Sequence, residues 1–496
     1  MGFEKILSLK QLNREAVQSI KFGTDGWRGI IAADFTFERL AMVAPIAAKV
    51  LADTYGDTTD GNDGKTIIVG YDRRFMAEEF AQKTAEVVAA AGFDVLLSDG
   101  YAPTPAFSWA AYRKKALGAL VLTASHNPGK YLGLKVKGAF GGSIPPDMTQ
   151  KIESQLTNPL PVVETPGTID TFDPWPSYCG ELRTKVDLDC IKEMISQDKL
   201  TVFADVMHGS AAGGLNQILE VPIREINSSR DPLFDGGAPE PLPRYLSKIF
   251  QEIKTHRSQA DAGLSVGLVF DGDSDRIAAV DGEGNFLSSQ ILIPILIEHL
   301  ASRRKFTGEV VKTLSGSDLF PRVAALYQLP VHETPIGYKY IAERMLSTDV
   351  LLGGEESGGI GYGNHIPERD ALLSALYLLE AIAQSGQDLS TLYNQLQEST
   401  GYTSVYDRID LHLANMEERT RLQEQLETQP LKEVNSQPVV DCQKIDGYKF
   451  RLADDSWLLI RFSGTEPVLR LYCEAATPDQ VRQTLKWAKN WANSAQ

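Results

Sequence analysis

Residues 66–70 read Thr-Ile-Ile-Val-Gly, a short apolar segment. A helix-like stretch from Ala77 to Ala91 follows it, and then a second apolar segment, Asp94-Val-Leu-Leu97. Short strands that alternate with longer amphipathic segments are typical of βαβ units around a mainly parallel sheet. The alternation recurs in five further strand-like segments: Leu117–Leu122, Leu200–Asp205, Leu264–Phe270, Glu309–Lys312 and Asp349–Leu352. We therefore predict an α/β fold.

The C-terminal part has a different pattern, which begins near Gly401. Its strand-like segments are Val405–Ile409, Trp457–Arg461 and Val468–Tyr472. The last helix has clear start signals, with Thr477 as N-cap, Pro478 at the first helical position and Gln480 completing a capping box. This part is predicted to be a smaller α+β domain.

Chain length and charge limit the domain count and the class of partner. The 496 residues correspond to about three domains at roughly 150 residues each, and the Pro-rich stretch from Asn158 to Trp175 is the expected first linker. With 49 Lys and Arg against 65 Asp and Glu, the net charge is −16, which repels nucleic acid and anionic lipid. We expect neither nucleic acid nor a membrane as a partner.

Cysteine usage and hydropathy predict a cytoplasmic protein. The four cysteines are too few for a disulfide scaffold and include no Cys-x-x-Cys spacing. Residues 1–6 contain no apolar signal core, and the longest dense apolar run, Ile291–Ile297, is far shorter than the ~20 residues that cross a bilayer.

An acidic loop follows the strand-like segment that ends at Phe270. Asp271, Asp273 and Asp275 place carboxylates at alternate positions, and oxygen ligands spaced in this way can converge on Mg²⁺ or Ca²⁺. An EF-hand is excluded, because its sixth position needs Gly and is Arg276 here. A solvated acidic turn is the alternative.

A second loop places Ser125 beside His126, which invites a hydrolase interpretation. The nucleophile elbow needs Gly two residues before and after the Ser, whereas Thr123 and Asn127 stand there. Lys135, ten residues on, could supply a cationic or proton-transferring amine. By itself this loop could equally be a capping turn.

Two later loops carry groups that suit a sugar phosphate. Arg461-Phe-Ser-Gly-Thr-Glu-Pro467 combines a guanidinium, hydroxyls and an accessible backbone, the groups that cradle an anion. Gly354-Glu-Glu-Ser-Gly358 offers a carboxylate and a hydroxyl that could hold vicinal sugar hydroxyls. A polar hairpin is the alternative for the first of these loops.

In this order, the loops resemble the α-D-phosphohexomutase family, the phosphoglucomutases and phosphomannomutases. The resemblance spans nearly the whole chain and rests on five motifs: Phe22–Gly29, Thr123–Pro128, Asp271–Arg276, Gly354–Gly358 and Arg461–Pro467. It implies three related α/β domains and a smaller α+β C-terminal domain around a central cleft. The implied domains and their loops are 1–160 with a phosphoserine loop, 178–287 with a metal loop, 288–395 with a sugar loop and 402–496 with a phosphate loop.

The resemblance also implies a role for each site residue. Ser125 carries the phosphoryl group, and Arg28, Lys135 and His126 assist phosphoryl and proton transfer. Mg²⁺ is held by Ser125, Asp271, Asp273 and Asp275. Substrate binding falls to nine residues: Arg276, Gly337, Glu355, Ser357, Arg369, Arg461, Ser463, Gly464 and Thr465.

The implied activity interconverts hexose 1-phosphate and hexose 6-phosphate through a hexose 1,6-bisphosphate, which also serves as activator, with glucose as the expected hexose. Phosphomannomutase activity and release of the bisphosphate by a synthase stay open as alternatives, as does the choice between monomer and homodimer. Gly359 stands where some members have a proton-transferring His, and Ile336 where others have a hydroxyl.

Two other classes compete with a mutase. A strand followed by Asp271-x-Asp273 also matches the opening motif of the haloacid dehalogenases, which form an aspartyl phosphate, but Asp275 replaces their Thr or Val. A non-catalytic sugar-phosphate sensor is disfavoured, because Ser125, Lys135 and all three Asp are present.

The chemistry of the phosphorylated residue distinguishes the mutase from the aspartyl-phosphate enzyme. We expect phosphoserine at Ser125 in a fraction of the purified protein, and no turnover in Ser125→Ala, because a mutase must store the phosphoryl group between two transfers. Phosphoserine survives acid, whereas hydroxylamine cleaves an aspartyl phosphate. A hydroxylamine-sensitive label would identify Asp271 as the nucleophile instead.

Overall fold

The computed structural model describes residues 20–23, 25–56, 64–157, 163–259, 263–464 and 466–494. Its contacts divide the chain into two compact units. The first comprises the described residues up to Ser289 together with Ala342–Asp349 and Ser357–Leu389. The second comprises Gln290–Ile341, Val350–Glu356 and the described residues from Ser390 onward.

The first unit begins with a seven-stranded mixed sheet. Its strands are β1 Phe22–Gly23, β2 Gly26–Ile30, β3 Thr66–Tyr71, β4 Asp94–Ser98, β5 Gly118–Leu122, β6 Tyr131–Gly138 and β7 Ile169–Phe172. They are ordered β1-β2-β6-β5-β3-β4-β7. Strands β5, β3, β4 and β7 run parallel, whereas β6, β2 and β1 are antiparallel to their neighbours.

Four helices belong to this sheet: α1 Phe37–Tyr55, α2 Ala77–Ala90, α3 Thr104–Arg113 and α4 Pro146–Gln155. Apolar side chains of the sheet and of α1 and α2 form one core, which includes Leu40, Val69, Phe80 and Leu120. The predicted strand, helix and strand between Thr66 and Leu97 are confirmed to within one residue at each end.

The expected linker from Asn158 to Trp175 is wrong in part. Residues 158–162 lie outside the described residues, but Ile169–Phe172 form β7, which pairs with β4 at the edge of the sheet. Its side chains are mostly exposed, so this strand lacks the buried apolar pattern by which an edge strand can be recognised.

A second mixed sheet completes most of the first unit. It contains β8 Leu200–Asp205, β9 Arg224–Ile226, β10 Leu264–Phe270, β11 Ile277–Val280 and β12 Phe286–Leu287, in the order β12-β11-β10-β8-β9. Strands β10, β8 and β9 are parallel, and the predicted bounds of β8 and β10 are confirmed. The helices of this region are α5 Trp175–Arg183, α6 Leu188–Ser196, α7 Gly214–Leu219 and α8 Ser247–Arg257.

The middle of the chain contributes to both units. Its strands are β13 Glu309–Thr313, β14 Val331–Thr334, β15 Val350–Gly354 and β16 Ile360–Tyr362, and its helices are α9 Ser289–Glu298, α10 Leu319–Leu326, α11 Tyr338–Ser347, α12 Ala371–Ser385 and α13 Leu389–Thr400. In the second unit β13 pairs in parallel with both β14 and β15. Strand β16 and helix α12 belong to the first unit.

The C-terminal part is an antiparallel sheet with two helices, which confirms its predicted α+β character. Its strands are β17 Val405–His412, β18 Glu433–Val434, β19 Gln437–Gln443, β20 Tyr448–Leu452, β21 Trp457–Phe462 and β22 Val468–Ala475, ordered β17-β22-β21-β20-β19-β18. Helices α14 Met416–Thr428 and α15 Pro478–Ser494 share a core with this sheet. Thr477 caps α15 by accepting a hydrogen bond from the backbone N–H of Gln480.

The fold delivers three of the predicted loops at the carboxyl ends of strands. The loops that contain Ser125, Asp271 and Glu355 follow β5, β10 and β15, the edge at which α/β sheets bind ligands. Among the described residues, no helix combines the length and the apolar character that a membrane crossing requires.

Candidate functional site

The Ser125 side chain is buried at the end of β5 and contacts the acidic loop. Its hydroxyl donates to Asp271 Oδ2 at 2.8 Å, and its Oγ lies 3.3 Å from His126 Nδ1. Ser125 adopts φ +51°, a left-handed conformation that is uncommon outside glycine and frequent at active sites. Its backbone N–H donates to Thr123 Oγ1 at 2.9 Å, which stabilises this turn.

The three aspartates of the acidic loop converge, as predicted. One carboxylate oxygen from each of Asp271, Asp273 and Asp275 lies within 4.8 Å of the others, and all three side chains are buried. Asp273 Oδ1 and Asp275 Oδ1 are buried acceptors that have no hydrogen-bond partner. Unused oxygens on convergent carboxylates fit a hard divalent cation such as Mg²⁺.

Lys135 lies on β6 and faces this cluster. Its ammonium is 2.7 Å from Asp275 Oδ2 and 2.8 Å from both Asp273 Oδ2 and Asp25 Oδ2. Arg369 Nη2 adds a second cation, 2.7 Å from Asp275 and 2.5 Å from Asp25. Arg369, predicted to bind substrate, therefore contacts carboxylates in this structure.

The titration of these groups follows from their burial and pairing. Burial, reinforced by the charges of Asp275 and Asp273, raises the pKa of Asp271 well above its ordinary value. Burial also acts to raise the pKa of Asp273, but the ammonium of Lys135 and the hydrogen bond from Thr104 together lower that pKa. For Lys135, burial acts to lower the pKa, whereas its carboxylate partners raise it; the amine stays protonated.

His126 and Arg28 complete the surroundings of Ser125. Burial, with the charges of Arg276 and Arg28, lowers the pKa of His126 well below its ordinary value, so its imidazole is neutral at pH 7. Arg28, on β2, donates from Nη1 to Asn127 Oδ1 at 2.7 Å.

The end of the predicted sugar loop packs against the exit of the acidic loop. The N–H of Ile277 donates to the carbonyl oxygen of Gly358 at 3.0 Å, and Arg276 and Gly359 form a β-bridge. A Cβ on Gly358, whose φ is +96°, would lie 2.6 Å from the carbonyl oxygen of Ile277, so glycine is required there. The Oγ of Ser357 is buried and has no hydrogen-bond partner.

The other predicted substrate residues that the structure describes belong to the second unit. Glu355 is buried directly after β15, and Gly337 precedes α11 with φ +139°. Asp446 Oδ2 accepts from Arg461 Nε and from the backbone N–H of Ile336, both at 3.0 Å. This carboxylate thus joins the Gly337 loop to the Arg461 loop.

Ser463 and Gly464 continue the Arg461 loop. Ser463 is mostly buried, and its carbonyl oxygen accepts from Arg419 Nε at 2.6 Å, whereas Gly464 is exposed. Thr465 lies outside the described residues.

Sequence reasoning missed Arg74, which organises the Ser125 loop. This fully buried guanidinium donates to four backbone carbonyl oxygens, those of Ser125, Asn127, Pro128 and Tyr131, at 2.5 to 3.1 Å. Burial raises the pKa of its partner Asp72 to about 6, although the charge of Arg74 opposes this shift. Asp72 directly follows β3 and therefore lies at the same edge of the sheet as Ser125. This position in the sequence could have identified Asp72 and its neighbour Arg74 as candidate site residues.

Three further partners were missed. Thr104 Oγ1 donates to Asp273 Oδ2 at 2.5 Å, Asp25 pairs with Lys135, and Asp446 pairs with Arg461. Asp25 lies inside a motif that the sequence analysis quoted, whereas Thr104 and Asp446 lie outside every motif.

Four family models match successive parts of the chain. They are described as phosphoglucomutase/phosphomannomutase, alpha/beta/alpha domain I over residues 19–160, domain II over 176–284, domain III over 288–399 and the C-terminal domain over 415–486.

Curated relatives match the chain over nearly its full length. The phosphoglucosamine mutase of Thermotoga sp. (strain RQ2) is 30% identical over 474 residues, which cover 94% of this chain and 97% of the relative. The phosphoglucomutase/phosphomannomutase of Thermococcus kodakarensis is 25% identical over 471 residues, 94% of this chain and 96% of the relative.

Solved structures share the fold. A protein from Thermus thermophilus, provisionally named a phosphomannomutase, has a TM-score of 0.81 at 32% identity, covering 96% of this chain and 99% of its own. The N-acetylphosphoglucosamine mutase of Aspergillus fumigatus, solved with GlcNAc-6P and magnesium, has a TM-score of 0.58 at 14% identity, covering 98% and 99%.

The role of Arg74 can be measured by hydrogen exchange. Arg74→Met leaves four loop carbonyls without their donor and Asp72 buried without its cation, so we expect the local opening free energy of residues 124–131 to fall by about 3 kcal/mol. Their amides should then exchange about 100-fold faster. Arg39→Met is the control, because Arg39 also donates to backbone carbonyls, those of Ala33 and Asp34, but at the surface. Equal protection in both variants would contradict this role.

Proposed function

Because this chain belongs to the phosphoglucomutase/phosphomannomutase family, the α-D-phosphohexomutases, we propose that it interconverts hexose 1-phosphate and hexose 6-phosphate through a phosphoserine at Ser125. The chain is an enzyme of this family, a phosphohexomutase. The observation that carries the assignment of Ser125 is its buried hydroxyl, 2.8 Å from Asp271 within the convergent aspartates.

The reaction consists of two phosphoryl transfers that use the same serine. Phospho-Ser125 gives its phosphoryl group to the free hydroxyl of the bound hexose phosphate, which forms the bisphosphate. The bisphosphate reorients, and Ser125 Oγ then takes the phosphoryl group at the other position, so the sugar oxygen leaves. In the first transfer the sugar hydroxyl gives up its proton, and Ser125 Oγ takes one up as it leaves. In the second transfer the leaving sugar oxygen takes up a proton, and the serine proton must be removed.

Two acceptors for that proton lie near Ser125. Asp271 Oδ2 already accepts the hydroxyl proton in a hydrogen bond of 2.8 Å, and the neutral imidazole of His126 presents Nδ1 at 3.3 Å. Lys135 is not a base in this proposal, because its carboxylate partners keep it charged. Its ammonium instead neutralises the aspartates and the phosphoryl oxygens that approach them.

Phosphohexomutases depend on magnesium, and the acidic loop fits that ion. Asp271, Asp273, Asp275 and Ser125 would hold it, with the two unused buried oxygens of Asp273 and Asp275 as ligands. When bound, Mg²⁺ supplies charge neutralisation and polarises a phosphoryl oxygen.

The remaining site residues bind the sugar and the phosphate that is not reacting. Glu355 and Ser357 hold vicinal hydroxyls near the middle of the ring, a grip that works in both substrate orientations. Arg276 and Arg369 add positive charge beside the aspartates, and Arg28 assists transfer at Ser125.

Arg461, Ser463, Gly464 and Thr465 bind the distal phosphate, and Gly337 contributes to substrate binding. Asp446 occupies Arg461 Nε in the structure, and a phosphate would compete with that carboxylate for the guanidinium fork.

The proposal extends to four domains, to glucose as the hexose and to activation by the hexose 1,6-bisphosphate. The domain bounds, 1–160, 178–287, 288–395 and 402–496, are those that the family resemblance implies. A cytoplasmic location and a monomeric or homodimeric state belong to the same proposal. Relatives named for glucosamine, mannose and glucose phosphates make the sugar the point most in need of a test.

The substrate is tested by steady-state kinetics with the 1-phosphates of glucose, mannose and glucosamine, each with and without glucose 1,6-bisphosphate. We expect the highest kcat/KM for glucose 1-phosphate and faster turnover with the bisphosphate, because the bisphosphate phosphorylates Ser125. Ser125→Ala is the inactive control. A higher kcat/KM for glucosamine 1-phosphate would overturn the choice of sugar, and bisphosphate accumulating with each turnover would identify a synthase.

A further inference from the structure

We propose that His208, Asp231 and Asp235 form a second metal site, here called the His208 site, which takes a transition-metal dication such as Zn²⁺. The site lies in the first unit and shares no residue with the proposed mutase chemistry. One ring nitrogen of His208 and one carboxylate oxygen from each aspartate lie within 4.8 Å of one another.

The hydrogen bonds of His208 leave one ring nitrogen available to a ligand. Nδ1 lies 2.8 Å from the carbonyl oxygen of Ser229, which can only accept, so Nδ1 carries the proton. With the proton on Nδ1, Nε2 is the ring atom that can offer a lone pair to a metal. His208 is only 8% exposed, and its Nε2 is buried without a hydrogen-bond partner. Metal-ligating histidines typically have this arrangement, with the other nitrogen bonded to a backbone carbonyl.

The two aspartates differ in how firmly they are held. Asp231 accepts from the backbone N–H groups of Leu233 and Asp235 at 2.9 and 2.8 Å, which fix its carboxylate. Asp235 is exposed, and its carboxylate pairs with the ammonium of Lys248 at 2.6 Å. The exposed side chain of Asp235 can therefore move toward a bound metal. The ammonium of Lys248 competes with that metal for the Asp235 carboxylate.

The three ligand atoms need to move only slightly closer together to bind zinc. Bonds of about 2.0–2.2 Å in a tetrahedral zinc site place ligand atoms ~3.4 Å apart, against an upper separation of 4.8 Å here. Side-chain movements of about 1 Å, by the exposed Asp235 and by its two partners, would bring the three atoms to that spacing.

The donor set selects the class of metal. One imidazole nitrogen and two carboxylate oxygens suit Zn²⁺ and its first-row neighbours, whereas Mg²⁺ and Ca²⁺ prefer oxygen alone. Mg²⁺ is thus expected at the three aspartates of the acidic loop, and Zn²⁺ at the His208 site.

A metal bound at the His208 site would also affect neighbouring loops, because of where the site lies. His208 follows β8, and the segment that carries the aspartates continues to Pro239, whose carbonyl oxygen accepts from the N–H of Gly272 in the acidic loop at 3.2 Å. The same segment packs on the Ser125 loop, since a Cβ on Gly129 would lie 2.4 Å from the carbonyl oxygen of Pro232. A metal at the His208 site would clamp the segment that supports both loops.

Equilibrium dialysis of the full-length protein with Zn²⁺, in excess Mg²⁺, tests the proposal. We expect one zinc equivalent in the wild type that Mg²⁺ does not displace, with a single imidazole ligand visible by X-ray absorption. Asp235→Asn and His208→Gln should each weaken zinc binding about 100-fold, as expected for loss of a ligand. Asp235→Asn changes an exposed side chain and keeps the proposal testable if the His208 variant does not fold.

The Lys248→Met substitution should change the zinc affinity in the opposite direction. Removing the ammonium that competes for Asp235 should tighten zinc binding about tenfold. His256→Gln is the matched control, because His256 is also buried but joins no group of metal-ligating side chains among the described residues. Absence of a zinc equivalent resistant to Mg²⁺, or equal zinc affinity in the wild type, Asp235→Asn and Lys248→Met, would overturn the proposal.

Discussion

The ammonium of Lys135 allows the fold to bury several carboxylates in one place. It lies 2.7–2.8 Å from Asp25, Asp273 and Asp275, and its side chain is 1% exposed. Removing such charges from water costs several kcal/mol each unless they are paired. Strand β6 supplies the partner: it runs antiparallel to β5 and sets Lys135 opposite Val121, four residues before Ser125. The Ser125 loop and the charge that neutralises its surroundings thus come from neighbouring strands.

Close backbone contacts hold the loops around the Lys135 ammonium in place and leave little room for larger side chains. Ser125 keeps a left-handed conformation, and Arg74 fixes the carbonyls that follow it. A Cβ on Gly272 would lie 2.4 Å from the carbonyl oxygen of Ser125, so the acidic loop can approach the serine only with glycine at that position. A strained turn, a buried guanidinium and a close glycine together place the hydroxyl against Asp271. Preorganisation of this kind is what phosphoryl transfer requires.

The sequence pattern predicted those features that depend only on residues close together in the chain. The bounds of β8 and β10 and the convergence of Asp271, Asp273 and Asp275 follow from an apolar strand and from alternate carboxylates after it. Partners that come from distant segments could not be predicted in this way. Thr104 bonds Asp273 across 169 positions, and Asp446 bonds Ile336 across 110; only the packed fold brings them together. Strand β7 was not predicted, because it is an exposed edge strand without an apolar pattern.

The most direct test of this electrostatic account is the melting temperature of Lys135→Met, measured with Mg²⁺ and after chelation. Without the ammonium, the buried carboxylates repel one another, so the variant should melt well below the wild type after chelation. Mg²⁺ should restore most of the loss, because it supplies positive charge to the carboxylates of Asp273 and Asp275, which Lys135 neutralises in the wild type. A loss of equal size with and without Mg²⁺ would contradict the account, since it would show that Lys135 stabilises the protein by packing and not by neutralising the metal-binding carboxylates.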